Sequence, residues 1–406
     1  MPLDDLLGEL VAMSRDQFAE RFWGRTPLLV QGQAPGRFDS LFGPDAVDEL
    51  IARRGLRTPF VRLAREGSTL PDRAFTTGGG VGAGVADQAS DDKIRQEFAA
   101  GATIVLQGLH RLWPPIGDFA AGLGAELGHP VQVNAYVTPP GGRGFSDHYD
   151  VHDVFVLQIH GTKRWAVRDP VFVDPLRSQP WTDHREQVAA AARTVAATEA
   201  TLAPGDCWYL PRGVLHAAAG QGRVSIHLTV GVHVWTAHHL AQALLEAAGS
   251  ALAVDPRARR SLPLGVNVAD AGELAGELAD VSEILREAVA AVPPADIARI
   301  LQGAARASSR PAPIGPLRQW SDAQGVCDEQ MLTIRPDLLA TVDGPDDAPI
   351  VRSRAGRVAV PAAAVPAVRR LLSGEALLVR DLMDEGEQAR ELARELLLAG
   401  VVVCRS

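Results

Sequence analysis

His148, Asp150 and His216 are the residues of this 406-residue chain whose types and spacing could hold a reactive metal. The stretch from Phe145 to Trp165 reads FSDHYDVHDVFVLQIHGTKRW and contains a His-x-Asp pair; the string PRGVLH, ending at His216, follows well downstream. Two imidazoles and one carboxylate on one face of Fe(II) form the ligand set of a mononuclear non-haem iron oxygenase. They leave adjacent positions open for a keto acid and dioxygen. In an extended segment, residues two apart project to the same side, so His148 and Asp150 can reach one ion. The turn Pro211-Arg212-Gly213 would deliver His216 from another strand or its loop. A His-x-Asp pair is also common as a surface hydrogen-bonding pair, so its surroundings decide between the two readings.

Those surroundings favour a lined cavity. After Gly161 the chain reads TKRWAVR, and alternation puts Lys163, Trp165 and Val167 on one face, with Arg164, Ala166 and Arg168 on the other. A lysine that shares the face of a large aromatic points inward, and an unpaired buried charge costs several kcal/mol. The distal carboxylate of a metal-chelating keto acid would supply the missing anion. The run from Arg223 to Val232 repeats the pattern: Ser225, His227 and Thr229 share one face, while Ile226, Leu228 and Val230 share the other. In VNAYVT, Asn134 and Tyr136 stand together, opposite Val133, Ala135 and Val137. Polar rows of this kind face either water or a cavity.

The elements that must carry these residues are strands. Thr103–Gln107, Val131–Thr138, Val154–Ile159, Arg164–Val167, Cys207–Leu210 and Arg223–Val232 are short runs rich in β-branched and aromatic residues, broken by Gly and Pro turns. They predict a sandwich or barrel. Before them, helical spacing runs from Leu3 to Phe22, and FWGRTPLLVQG leads into a strand. The glycine-dense stretch Thr76–Gly84 lacks the Gly-Lys-Ser/Thr that a phosphate loop requires and predicts a surface loop bordering the substrate entrance. Helical patterns return at Ala237–Leu252, Asp270–Ala291 and Pro294–Ala307. From about Pro316 short apolar runs precede a helix at Gly386–Ala399, with one stripe of Ala389, Leu392, Ala393, Leu396 and Leu397, and then a strand at Val401–Val403.

Length predicts two or three domains. A formal charge of -9 disfavours general nucleic-acid binding and favours basic partners. Three scattered cysteines make a poor disulfide framework, and Cys207 reads as a small buried hydrophobe. The acidic start and the absence of a long apolar run predict a cytoplasmic protein. His152, His160, His184, His238 and His239 read as hydrogen-bonded or surface histidines, and Trp208 and Tyr209 as core-facing strand residues.

The strings NAYVTPPGGRGFSDHYDVHDVFVLQIHGTKRW and GDCWYLPRGVLHAAAGQGRVSIHLTVGV together closely resemble the JmjC-type ribosomal oxygenases, cupin-fold hydroxylases of ribosomal proteins. FWGRTPLLV and RRSLPLG, at Arg259–Gly265, look like further features of that family. The resemblance implies an α+β fold in three parts: a double-stranded β-helix (cupin/JmjC) catalytic domain over 1–236, a helical dimerisation domain over 237–312, and a winged-helix-like domain over 313–406. It implies Fe(II) held by His148, Asp150 and His216, with dioxygen and 2-oxoglutarate as co-substrates. Lys163 would bind the distal carboxylate of 2-oxoglutarate, helped by Tyr136 and His227. Asn134 and Tyr149 would contact the substrate. Lys163 stands where bacterial arginine-hydroxylating members carry arginine and eukaryotic histidine-hydroxylating members carry lysine, so the target is a histidine or an arginine of a basic ribosomal protein. Homodimerisation is implied, with no DNA or membrane partner. Two rival readings are an N-methyl-lysine demethylase of the JmjC class and a non-catalytic cupin-like binding or assembly protein.

Overall fold

The β-rich runs between Thr103 and Val232 all form strands in the computed structural model, which describes residues 5–142, 145–308 and 310–405. Leu3, where the first helical pattern begins, lies outside the described residues. The chain divides into two units, Met1–Val234 and Trp235–Ser406. In chain order the strands of the first unit are β1 (Leu28–Val30), β2 (Val61–Arg65), β3 (Ser68–Thr69), β4 (Thr76–Thr77), β5 (Gln88–Ala89), β6 (Thr103–Leu106), β7 (Val131–Thr138), β8 (Asp153–His160), β9 (Lys163–Arg168), β10 (Thr198–Leu202), β11 (Cys207–Leu210), β12 (Leu215–Gly220) and β13 (Ser225–Val232). Eight of them make one antiparallel sheet in the order β1-β11-β8-β13-β7-β6-β2-β3, and β10-β9-β12 make a second, smaller sheet. This is a mixed α/β fold built on a large antiparallel sheet.

The two faces of β8 explain its nearly unbroken apolar sequence. Phe155, Leu157 and Ile159 join a core with Leu6, Leu10, Phe18, Phe119 and Leu123 from the helices α1 (Leu6–Val11), α2 (Arg15–Arg21) and α5 (Pro114–Leu127); α3 (Pro44–Arg53) and α4 (Asp91–Ala99) lie between them in the chain. Val154 and Val156 turn the other way and pack with Trp165, Val167, Leu202, Trp208 and Leu210 between the two sheets. A strand covered on both sides must be apolar on both sides. The N-terminal pattern is two helices rather than one. Ala12 ends α1 in the left-handed region, and Ser14 restarts the chain as the N-cap of α2 in a capping box with Gln17. The glycine-dense stretch is an exposed connection between β4 and β5, and none of its residues lines the cavity described below.

The tight connection from β8 to β9 fixes where Lys163 falls. Gly161 adopts φ +61°, and a Cβ there would meet the Val224 carbonyl oxygen at 2.1 Å. Gln158 sits under the same turn, its amide donating to the carbonyls of His160 and Gly161 and to the Ser225 hydroxyl.

In the second unit, α7 (Ala237–Leu252), α8 (Ala271–Ala291) and α9 (Pro294–Ser308) follow α6 (Arg185–Thr194) of the first. Helix α7 packs with α8 and α9, yet Leu240, Leu245, Leu278 and Val281 stay exposed. The remainder has its own core, in which the stripe Ala389, Leu392, Ala393, Leu396 and Leu397 is buried. The last strand runs Val402–Cys404, one residue later than the apolar run alone suggests.

Replacing Gly161 by Ala should destabilise the first unit by about 2 kcal/mol or more, because the side chain needs both a left-handed backbone and space the Val224 carbonyl already fills. Thermal melting checks this, and an unchanged midpoint would show that the turn relaxes without cost.

Candidate metal centre

His148 and His216 come from segments far apart in the chain and are brought together by a pair of backbone hydrogen bonds. The His216 N–H donates to the His148 carbonyl at 2.9 Å, and the His148 N–H to the His216 carbonyl at 3.2 Å. His216 lies in β12, a strand that its LHAAAG sequence does not announce. The Gly213 N–H donates to the Asp150 carbonyl at 3.0 Å and so fastens the turn before β12 to the third ligand. The ligand atoms of His148, Asp150 and His216 all fall within 4.8 Å of one another, and among the described residues they form the single such cluster.

The hydrogen bonds of the two imidazoles select the nitrogen left for a metal. His148 Nδ1 lies 2.7 Å from the Ser146 carbonyl and His216 Nδ1 lies 3.0 Å from the Val214 carbonyl. A carbonyl only accepts, so each Nδ1 carries the proton and each Nε2 presents a lone pair. Burial holds the His216 ring down at about 4, with the charge of His148 adding to the effect, so the ring is the neutral ligand a metal requires. Burial raises the pKa of Asp150, but the charges of His152, His216, His148 and Arg62 outweigh it and hold the carboxyl below its usual value. Two imidazole Nε2 atoms and a carboxylate, with each Nδ1 held by a backbone carbonyl, fit Fe(II) and related divalent ions.

The three ligands line a cavity of about 50 Å³ whose wall also includes Tyr136, Phe145, Lys163, Trp165 and His227. Lys163 is 3% exposed. Its ammonium donates to the Thr138 hydroxyl at 2.9 Å and stands 3.4 Å from His227 Nδ1. No carboxylate pairs with it among the described residues, and burial alone pushes it down to about 7. His227 falls well below its usual range through burial and then through the charges of Lys163 and His216, so its ring is neutral. It stacks on Tyr136 at 4.9 Å with an interplanar angle of 7°. A register shift between Ile226 and His227 in the β13–β8 pairing re-aims the strand at this point.

Two expected substrate residues sit elsewhere. Tyr149 is 1% exposed in a separate cluster with Val188, Ala191 and Leu215, and its hydroxyl donates to the Gln179 carbonyl. Alternation is the reason: with His148 and Asp150 turned to the metal, the residue between them turns away. Asn134 does not line the cavity, and its Oδ1 accepts from the Gly108 N–H at 2.9 Å. Thr138 was missed although a signal for it existed, since it continues the face of Asn134 and Tyr136. Thr229, on the polar row of His227, also lines the cavity, as do Thr103, Val154, Val156 and Ala218, which only the pairing of sheets places there. Cys207 is buried as expected, its thiol pushed up to about 12 by burial. Trp208 and Tyr209 are buried core residues.

Residues 123–240 match the family model described as the JmjC domain. The chain carries a JmjC domain. It is homologous to ribosomal oxygenase 1 of Rattus norvegicus, 29% identical over 235 residues, which are 55% of this chain and 36% of that protein. It is also homologous to the bifunctional lysine-specific demethylase and histidyl-hydroxylase NO66 of Culex quinquefasciatus, 26% identical over 226 residues, which are 54% of this chain and 32% of that one. The chain thus spans about a third of the length of these curated relatives. Among solved structures, YcfD, a ribosomal oxygenase of Escherichia coli described in complex with cobalt and 2-oxoglutarate, shares the fold: TM-score 0.53 and 18% identity, covering 98% of this chain and 99% of that one.

A buried ammonium that titrates near 7 gives the JmjC cavity a pH signature. The charged form holds an anion, and in the ligand-free protein that form dominates only below about 7. A dicarboxylate such as succinate should bind with constant affinity at lower pH and weaken about tenfold per pH unit above it, because binding must then take up a proton. Calorimetry between about pH 6 and pH 9 measures the slope. A Lys163→Met variant should bind more weakly and lose the slope, whereas a slope that persisted in that variant would assign it to another group.

Proposed function

We propose that this protein is an Fe(II)- and 2-oxoglutarate-dependent oxygenase that hydroxylates a histidine or arginine side chain of a ribosomal protein. The observation that carries the reading is Lys163, a buried cation with no acidic partner among the described residues, in the same cavity as a His-Asp-His cluster. Such a pairing of a metal site with a cation suits a ligand that chelates at one end and carries a carboxylate at the other. The homology to ribosomal oxygenase 1 and the cobalt and 2-oxoglutarate complex of YcfD support the same assignment.

His148, Asp150 and His216 would hold iron, which with 2-oxoglutarate and dioxygen supplies the oxidation of an unactivated C–H bond. Lys163 and Thr138 then orient the co-substrate by its distal carboxylate. The neutral His227 accepts rather than competes for that anion, and its stacking partner Tyr136 holds the ring in place. Val154, Val156 and Trp165 keep the cavity dry, which strengthens the charge pairing. The net charge of -9 would draw in Lys- and Arg-rich chains, and a cytoplasmic location goes with that substrate class. Exposed Leu240, Leu245, Leu278 and Val281 support a homodimer through 237–312, with a winged-helix-like domain after it.

Demethylation of N-methyl-lysine is the second reading, because one set of relatives is described as both demethylase and histidyl-hydroxylase. Incubating enzyme, Fe(II) and 2-oxoglutarate with basic ribosomal-protein peptides should add the mass of one oxygen with release of succinate. Lys163→Ala should raise the 2-oxoglutarate requirement at least about tenfold, as expected for a lost charge-assisted bond of roughly 1.5–3 kcal/mol. Loss of a methyl group from methyl-lysine peptides, with no oxygen gained by any ribosomal peptide, would move the assignment to the demethylase. Absence of succinate in every reaction would leave a binding protein.

Light scattering tests the assembly. A dimer is expected at micromolar concentration, with an interface of roughly 2,000 Å² or more, and Leu278→Glu should dissociate it. A wild-type monomer would refute the dimer.

A further inference from the structure

Three residues beyond Asp150 stands a carboxylate that neither the metal site nor the co-substrate cavity uses. Asp153 opens β8 and is fully buried. Its Oδ1 accepts the Arg212 N–H at 3.1 Å and faces the Arg212 guanidinium at 3.7 Å. Its other oxygen accepts from the Tyr209 hydroxyl. Tyr209 in turn accepts the Gly24 N–H at 2.8 Å, so its own proton is committed to Asp153. The Arg212 guanidinium continues to Asp174 at 3.0 Å.

The partner of Asp153 lies in the turn that delivers the last ligand. Arg212 precedes Gly213, a position that requires glycine: its φ is +87°, and a Cβ there would meet the Phe172 carbonyl oxygen at 2.6 Å. Segments 148–153 and 212–216 are therefore joined at three places: His148 to His216, Asp150 to Gly213, and Asp153 to Arg212. The first two are bonds between backbone atoms. The third depends on a side chain, and it closes the end of the ladder beyond the ligands.

We propose that Asp153 is a positioning residue for the metal centre, a buried clasp that sets the spacing between the His148–Asp150 segment and His216. The proposal rests on the reading of those three residues as metal ligands. A carboxylate suits the place because donors converge on it from Tyr209 and Arg212. An amide there would turn an N–H toward the Tyr209 hydroxyl or toward the Arg212 N–H, and either way one donor loses its acceptor. The ladder would then loosen at the turn while the two sheets, held by Val156, Trp165 and Trp208, keep their packing.

Co(II) titration of the metal-free protein, read by visible absorption, tests this alongside thermal melting of the same samples. Wild type should show a ligand-field spectrum that His216→Ala abolishes. Asp153→Asn should bind Co(II) about tenfold or more weakly with altered band shape, in the range expected when a residue that supports ligands is lost. Tyr209→Phe cuts the arm of the network that leads away from the turn; it should lower the melting temperature but keep the wild-type affinity and spectrum. If Asp153→Asn does not fold, Arg212→Ala keeps the carboxylate, strips its guanidinium partner and should weaken Co(II) several-fold. Wild-type binding in Asp153→Asn, or in Arg212→Ala where that variant stands in for it, would overturn the clasp while leaving the metal centre intact. Equal weakening in Tyr209→Phe would reduce the effect to general destabilisation and also overturn it. A wild type with no His216-dependent spectrum would remove the metal centre and the clasp together.

Discussion

The ammonium of Lys163 is the group on which the arrangement of the first unit depends. It is buried with a threonine hydroxyl at 2.9 Å and a neutral imidazole at 3.4 Å. Neither offsets the loss of its hydration, and burial accordingly pulls its pKa down to about 7. A fold that keeps such a group does so at a cost that an anion in the adjacent cavity can repay. Thr138 and Thr103 are linked hydroxyl to hydroxyl at 3.2 Å, so the polar contact reaches two strands and does not end at an orphaned atom. His227 stays neutral beside the ammonium, which removes a second positive charge from the same space.

The two-sheet architecture makes that cavity possible. Strands β7, β8 and β13 turn one face to the helices and the other to the small sheet. The helix-facing rows are apolar apart from Asp153 at the start of β8. The inner rows change character along the strand: Val154 and Val156 seal one side, while Tyr136, His227 and Thr229 carry polar atoms on the other. Polar side chains between two sheets are tolerable only where they have partners or line a cavity. The stacked Tyr136–His227 pair and the Thr138–Lys163 bond meet that condition, as does the amide nitrogen of Gln158 under the hairpin turn, whose Oε1 is left without a hydrogen-bond partner.

Much of this was legible in the residues. The spacing of His148 and Asp150, the inward parity of Lys163 and the apolar stripe of α12 (Gly386–Leu398) all follow from the fixed periods of strand and helix, which need no tertiary information. The same alternation turns Tyr149 away from the cavity and puts Thr138, the partner of Lys163, on the face of Tyr136. The break between α1 and α2 was also written locally, in Ser14 and Gln17. Helices α3 to α6 were not anticipated, and neither was β12, whose run of alanines has weak strand preference and is held by pairing with β9.

The sequence by itself determined which side chains share a face, because parity along a strand is a property of the backbone alone. It therefore determined the ligand types and the cation that accompanies them. Only the tertiary structure decided how His216 meets His148 and Asp150, since that meeting depends on hydrogen bonds between segments distant in the chain. The same holds for Asn134, whose oxygen is taken by Gly108, and for Asp153, whose partners Tyr209 and Arg212 lie in another strand and its turn. Side-chain partners of that kind are set by strand order and register, and a local pattern of residues carries neither.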